Sequence, residues 1–413
     1  MTTGDTAVPT VVDEEFLEFV MRPELRADPY PFYHRLRAFE PVHKLPFDVW
    51  LVSSHEHVSQ ILRDGRFSSD ERNATLQAIS AYDADGAFNR VFETMLVFRD
   101  EPDHKRLRDL VQKAFTRKVV ENLRPRIESL VAELTSGLQE RGGGDLISEF
   151  AYPLPVIVIC ELLGVPVEDR DRFQHWARDF ATRFEVQLLR TPESEQRGDA
   201  ATGKLLEYFE GLLESKRSAP QDDVMSSLVN VEDRGDRLTH DEVLATCLLL
   251  LLAGHETTAN LLGNGVLALL RHRDQWQRLV DEPELVRPAV EELLRYDSPV
   301  QVIERIALEE LSVGGQTISS GDQLGIMLGA ANRDPQRFPD PDRLDIGRND
   351  EPLISFGAGV HFCLGAPLAR LEARIAIDSL VRTFPNLQLA TDEPKWRPSF
   401  VLRGLEELPV TTG

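Results

Sequence analysis

The chain has 413 residues, 42% of them hydrophobic, enough to bury a large core, and length alone suggests two or three domains. Its 69 Asp and Glu against 46 Lys and Arg give a net charge of −23, which excludes nucleic acid or an anionic membrane as the main partner. Three cysteines (Cys160, Cys247 and Cys363), far apart and odd in number, form neither a disulfide framework nor a zinc ribbon, and they fit a reducing, cytoplasmic compartment.

Residues 1–20 read as a disordered tail, Thr-rich at its start and without the basic-then-apolar order of a signal peptide. Asp28-Pro29-Tyr30-Pro31 is a stiff entry to a helix over residues 32–39, followed by a strand over 48–52 and a helix over 55–63. Residues 73–89 are polar and weakly periodic, which predicts a long loop. The next helix opens at Glu101-Pro102-Asp103-His104 and sets His104 and Arg108 on one face, four residues apart. That spacing suits either a clamp for a carboxylate or a solvated charged face. Lys105, Arg106, Lys113, Arg117 and Lys118 make this the most basic part of an acidic chain, able to dock an acidic partner. Residues 119–229 are helical, with breaks at Gly142-Gly143-Gly144, Gly164-Val165-Pro166 and Ser218-Ala219-Pro220. Phe173, Trp176, Phe180 and Phe184 form a core-packing stripe within them.

Thr239-His240-Asp241-Glu242 is a capping box, and no proline follows until Pro283, so a helix runs from here to about Arg271. Its apolar run, residues 243–254, is shorter than the ~20 residues a bilayer span needs, which favours burial in a protein core. Within this helix stands Ala253-Gly254-His255-Glu256-Thr257-Thr258. A buried carboxylate costs several kcal/mol unless paired, and Gly lowers helix propensity by about 1 kcal/mol. Two readings fit. In one, Thr257 bonds back to the helix and Glu256 pairs with a distant base; in the other, acid and alcohol sit beside a local widening of the helix and pass protons to a bound ligand.

A short helix over residues 288–296 carries Glu292 and Arg295, three apart. An extended stretch, 298–303, leads to Arg305 in a β-like region, and a proline-rich meander ends in Pro341-Asp342-Arg343. Then comes Phe356-Gly357-Ala358-Gly359-Val360-His361-Phe362-Cys363-Leu364-Gly365, with Pro367 placed as a first-turn proline of the helix that follows. Cys363 therefore lies just ahead of a helix N-terminus, whose positive potential and backbone donors favour a metal-bound thiolate; a buried, inert cysteine is the alternative. Gly357, Gly359 and Gly365 allow sharp turns and close approach of a planar ligand.

Taken in order, the acid–alcohol helix, Glu292-x-x-Arg295, the Pro-Asp-Arg meander and Phe-Gly-x-Gly-x-His-x-Cys-x-Gly resemble the cytochrome P450 family of haem-thiolate monooxygenases, in the soluble bacterial style. The resemblance runs from Asp28 nearly to the end. It implies a mainly α fold with a small β-rich region, a triangular helical domain with a long central helix, and one domain over residues 21–413. It implies haem b (iron protoporphyrin IX) with Cys363 as the axial iron ligand, Phe356 and Gly365 beside it, and His104, Arg108, Arg305 and His361 on the propionates. Glu256 and Thr257 match the pair that delivers protons to dioxygen, and Glu292, Arg295 and Arg343 match a buried supporting ion-pair network. His255 receives no role. Leu249, Leu250, Ala253, Val300, Val302, Ile303 and Val401 are the expected pocket wall, for a mostly apolar small molecule such as a macrolide- or polyketide-like intermediate that is hydroxylated or epoxidised. Electrons would come from NAD(P)H through a separate redox chain, with a ferredoxin-type donor on the face near Lys105, Arg106, Lys113 and Arg117. Oxidative coupling, desaturation or isomerisation at the same haem is the alternative chemistry, and a non-catalytic haem binder or sensor is a more remote one.

Overall fold

The computed structural model describes residues 10–75, 87–186, 189–233, 235–349 and 353–413, and it is mostly helical with small sheets. Thr10 opens the first helix, Val11–Met21, by accepting from Asp13 N–H while the Asp13 carboxylate accepts from Thr10 N–H at 2.6 Å. Val12, Phe16, Phe19 and Val20 are buried against Phe32, Tyr33 and Phe400. The expected disordered tail is therefore corrected over residues 10–20. Its polar, charged sequence hides an apolar stripe that is worth burying only because the rest of the chain supplies the other half. Most of the loop expected over 73–89 lies outside the described residues.

The capping box at Thr239 forms as expected, and the helix His240–Arg271 runs 32 residues, about 48 Å at 1.5 Å per residue. By length and composition it could cross a bilayer. Instead it is the core helix, packed by Pro153–Leu163, Ala366–Thr383, Val286–Tyr296 and Pro192–Ser218. It is continuous α-helix, without the local widening expected near Gly254. The glycine has a packing reason: a Cβ there would lie 3.0 Å from Ile159 Cδ1 on the neighbouring helix.

A five-stranded sheet runs in the order Val42–Lys44, Val49–Val52, Gln323–Ile326, Ile303–Ala307, Phe67–Ser68. Leu324 pairs with Trp50 in parallel and with Arg305 in antiparallel register, which fixes Arg305 in a central strand. Gly143–Asp145, Pro409–Thr411 and Gln388–Leu389 form a second sheet. The aromatic stripe packs as expected: Phe173 and Phe180 are fully buried, with Trp176 and Phe184 at the edge of the same core.

Candidate active site

Cys363 follows a single turn, Gly359–His361, and precedes the helix Ala366–Thr383. Gly357 and Gly359 hold φ of 69° and 68°, and a side chain on Gly359 would run into the Leu62 carbonyl. Gly365 differs from expectation. Its φ is −79°, so no backbone constraint demands glycine, but its missing side chain leaves room beside the sulfur, where a Cβ would stand 3.9 Å from Sγ. Cys363 N–H donates to the Phe356 carbonyl at 3.0 Å, and the Phe356 ring lies 4.4 Å from the Arg370 guanidinium. Burial pushes the Cys363 thiol up from its ordinary range, while the Gly365 and Ala366 N–H groups, with Arg108 and Arg370, pull less strongly the other way. The helix N-terminus alone thus does not make a thiolate here. A bound metal cation at the sulfur would favour the deprotonated form.

Around this loop four donors converge. His104, on the helix Asp103–Ala114, is 1% exposed, and both of its ring nitrogens lack a hydrogen-bond partner among the described residues. Its ring centroid lies 4.0 Å from that of His361. Arg108 donates to the Phe362 carbonyl at 2.7 Å, tying that helix to the Cys363 loop. Arg305 is buried and donates to the Glu304 carbonyl at 2.7 Å. Burial, with Arg108 and Arg305 nearby, brings His104 down to about 4; burial, Arg305 and His104 bring His361 down to about 2; burial brings Arg305 down to about 10. The result is two neutral imidazoles and two guanidiniums. Asp100, which faces this group, is already held by Ser68 Oγ and Ser69 N–H. Buried polar groups are rarely left unpaired, so an orphaned imidazole beside two cations fits a ligand bearing carboxylates, such as the two haem propionates.

The long helix presents its other ingredient. Ala253 is exposed, and Leu249, Leu250, Gly254 and Thr257 are partly so, whereas the other residues of this helix between its exposed ends, Glu242 to Leu270, are buried. Their spacing puts them on one face. Leu249 and Leu250 fringe the same core cluster as Phe356 and Leu364 of the cysteine loop. The residues present therefore fit a haem: an apolar wall, a sulfur ligand and a set of carboxylate-binding donors. Thr257 Oγ donates to the Ala253 carbonyl at 2.8 Å. Glu256 points elsewhere: it is 1% exposed and pairs with Arg397 at 2.5 Å. Burial alone would raise this carboxylate, but His255 and Arg397 outweigh it and hold it down at about 2. Both hydrogen bonds of the structural reading are thus present. Arg397 was not foreseen, since 141 residues separate it from its partner and no local pattern marks it.

Glu292 and Arg295 form a bidentate pair at 2.7 and 2.8 Å, both buried. Arg343 joins it only through its main-chain carbonyl, which accepts from Arg295 at 3.4 Å and from Arg348 at 3.3 Å, and not through its guanidinium as expected. Its side chain is 66% exposed and pairs with Asp345, while Arg348 reaches Glu292 at 3.2 Å. An aperiodic meander gives no spacing by which to choose between two arginines five residues apart. Among the expected wall residues, Val300 bridges Leu402, and Gln301 N–H bonds the Val401 carbonyl at 2.9 Å, so these two segments run side by side. Val300 and Ile303 keep partial exposure, whereas Val302 is buried among Phe16, Phe19 and Phe400 and belongs to the core. On the basic face, Arg106 is tied to Glu242 and Asp236 and Lys105 to Asp109, so part of the expected positive field is internally neutralised. Lys113 donates to the Glu232 carbonyl, and Arg117 is exposed. A separate cleft of about 370 Å³, lined by Tyr30, Asn264, Arg333 and Arg403 among others, shares no residue with these groups.

The cytochrome P450 family profile matches residues 41–404. The vitamin D(3) 25-hydroxylase of Pseudonocardia autotrophica is 45% identical over 393 residues, 94% of each chain. The polyketide biosynthesis cytochrome P450 PksS of Bacillus subtilis (strain 168) is 40% identical over 399 residues, 94% of this chain and 96% of that one. The crystal structure of P450BioI in complex with hexadec-9Z-enoic acid-ligated acyl carrier protein superposes with a TM-score of 0.88 at 39% identity, covering 97% of this chain and all of that one. The chain belongs to the cytochrome P450 family and is a monooxygenase that uses haem and dioxygen, with electrons from NAD(P)H passed through a separate redox partner.

Proposed function

We propose that this enzyme, working in the cytoplasm as a single domain, hydroxylates or epoxidises a mostly apolar natural product of polyketide-like or secosteroid size, with Cys363 as the residue whose sulfur would hold the haem iron. The partly exposed apolar strip Leu249, Leu250, Ala253 on an otherwise buried helix carries this reading, because such a strip orients a ligand by shape more than by hydrogen bonds. The names of the two relatives, one a vitamin D(3) hydroxylase and one from polyketide biosynthesis, support the same size and polarity. Haem held there supplies reductive activation of dioxygen and insertion of one oxygen atom.

The chain's own residues then have separate tasks. His104, Arg108, Arg305 and His361 hold the two propionates. Leu249, Leu250, Ala253, Val300, Ile303 and Val401 exclude water and position the substrate. Thr257 offers a hydroxyl on the strip, and Glu256 holds the proton supply behind it. A ferredoxin-type donor docks on the face of Lys105, Arg106, Lys113 and Arg117, with Arg117 the least encumbered of the four.

The test pairs the carbon-monoxide spectrum of the reduced enzyme with a spin-state screen of free macrolactones, vitamin D3 and long-chain acyl groups, free or tethered to a carrier protein. A thiolate-type band and a high-spin shift with a macrolactone or vitamin D3 are expected. A band typical of neutral imidazole ligation would overturn Cys363, and a shift confined to acyl chains would overturn the substrate class.

A further inference from the structure

The cleft lined by Tyr30, Asn264, Arg333 and Arg403 has no task in the chemistry at Cys363. Its volume of about 370 Å³ falls within the roughly 300–1,000 Å³ of small-molecule sites. Asn264 lines it from the long helix, about 12 Å along the axis beyond Glu256. Its Nδ2 donates to the Arg403 carbonyl at 3.0 Å, which fixes the amide's orientation, because the flipped form would set two acceptors together. Asn264 Oδ1 is then a buried acceptor without a partner among the described residues, and such groups are rare. In the same wall, Asp297 accepts from Tyr30 Oη at 2.8 Å and from Arg403 Nε at 2.5 Å, both at Oδ1, so Oδ2 is a second acceptor. Arg333 gives Nε to the Tyr296 carbonyl and Nη1 to Asp342, each at 2.8 Å, which leaves Nη2 as a donor.

The charges of this wall cancel. Asp297 matches Arg403, Asp342 matches Arg333, and Arg271 and Asp28 stand exposed at the rim, one of each sign. Cations also cover the rings: the Arg333 guanidinium lies 4.0 Å from the Tyr30 ring and 3.7 Å from the Tyr296 ring, and that of Arg403 lies 3.6 Å from the Trp396 ring. An anion entering here meets three carboxylates, and a cation meets three guanidiniums with a face of each ring already taken. A hydroxyl, which both donates and accepts, suits this mixture of acceptors and donors. We propose that the cleft is a second ligand site, built for a neutral ring rich in hydroxyl groups, such as a sugar, and separate from the substrate space beside Cys363. Asn264 Oδ1 and Asp297 Oδ2 accept from its hydroxyls, and Arg333 Nη2 donates to them. The site is tied to the substrate wall, since the Arg403 N–H donates to the carbonyl of Pro299, the neighbour of Val300, at 2.8 Å. It does not depend on which substrate the haem oxidises.

The test is saturation-transfer difference NMR of the holoenzyme in its diamagnetic reduced carbon-monoxide form. The probes are the methyl glycosides of glucose, galactose and mannose, with those of glucosamine and glucuronic acid as charged comparators. At least one neutral glycoside is expected to take up saturation and to bind about tenfold or more tightly than either comparator. Asn264→Leu removes the orphaned acceptor and is expected to weaken that glycoside by about tenfold, whereas Arg382→Ala, an exposed change outside the cleft, leaves it unaltered. Asp342→Ala, at the exposed rim, leaves Arg333 without its matching carboxylate and is expected to shift preference toward the glucuronide. No transfer to any neutral glycoside, equal or tighter binding of a comparator by the parent enzyme, or binding indifferent to Asn264→Leu overturns the proposal. Should Asn264→Leu fail to fold, an unchanged preference in Asp342→Ala overturns it instead. The carbon-monoxide band reports the haem ligand in every variant, so failure of the cleft and failure of Cys363 are separately visible.

Discussion

At the scale of single residues, the difference between Arg295 and Arg343 is the most instructive. Arg295 lies 2% exposed with both carboxylate oxygens of Glu292, and it also bonds the carbonyls of Asn332 and Pro341. Arg295→Ala leaves a charged Glu292 in the interior with Arg348 as its remaining side-chain cation, and urea melts of the holoenzyme are expected to show a loss of about 3–5 kcal/mol. Arg343→Ala removes an exposed pair to Asp345, and the same melts are expected to move by less than about 0.5 kcal/mol. Equal losses in the two variants would place the Arg343 guanidinium in the network, to which the structure ties only its main-chain carbonyl. Glu292 and Arg295 were legible because three-residue spacing on a helix makes neighbours; Arg348 was not, because a chain without period carries no such rule. The helix start just after Cys363 was legible from Pro367 and the glycines, but that burial outweighs the helix N-terminus at the thiol is a property of surroundings that no local sequence encodes.

Among the elements, the long helix was almost fully readable: a capping box fixes one end, and the lack of proline lets it run to Arg271. What the sequence could not give is which face meets which neighbour. Gly254 looked like a functional weakness and is a point of close approach to Ile159. Gly254→Ala gains about 1 kcal/mol of helix propensity but drives a methyl to 3.0 Å from Ile159 Cδ1, and overpacking of this kind costs roughly 1–3 kcal/mol. The expected outcome is a modest net loss. Adding Ile159→Val, which deletes that Cδ1, is expected to recover part of it, so the double variant is more stable than the sum of the singles by about 0.5–1 kcal/mol in a thermodynamic cycle. Strict additivity would remove Ile159 as the reason for the glycine.

For the molecule as a whole, the first helix and the C-terminal loop are bound to each other. Arg26 donates to the Pro398 carbonyl, Arg403 donates to the carbonyls of Arg26 and Ala27, and Arg403 also pairs with Asp297, which accepts from Tyr30. Phe16 and Phe19 pack on Phe400, one residue before Val401. Deleting residues 1–22 is therefore expected to cost at least about 4 kcal/mol, from four buried apolar side chains discounted for residual structure in the unfolded chain. Hydrogen exchange at Gln301, whose N–H bonds the Val401 carbonyl, is expected to accelerate in parallel. Unchanged protection there would separate the N-terminal helix from the pocket wall. The sequence missed this helix because its stability is tertiary: a short segment with an Asp in place of the usual Glu or Gln in its cap gains little alone.

The gathering of His104, Arg108, Arg305 and His361 has one more consequence. In the proposed role, two guanidiniums and two dry imidazoles share one corner of the fold until propionates pair with them, so haem binding is expected to raise the stability of the folded chain. The haem-free chain is therefore expected to melt at a lower temperature than the loaded enzyme, with hydrogen exchange faster around His104 and His361.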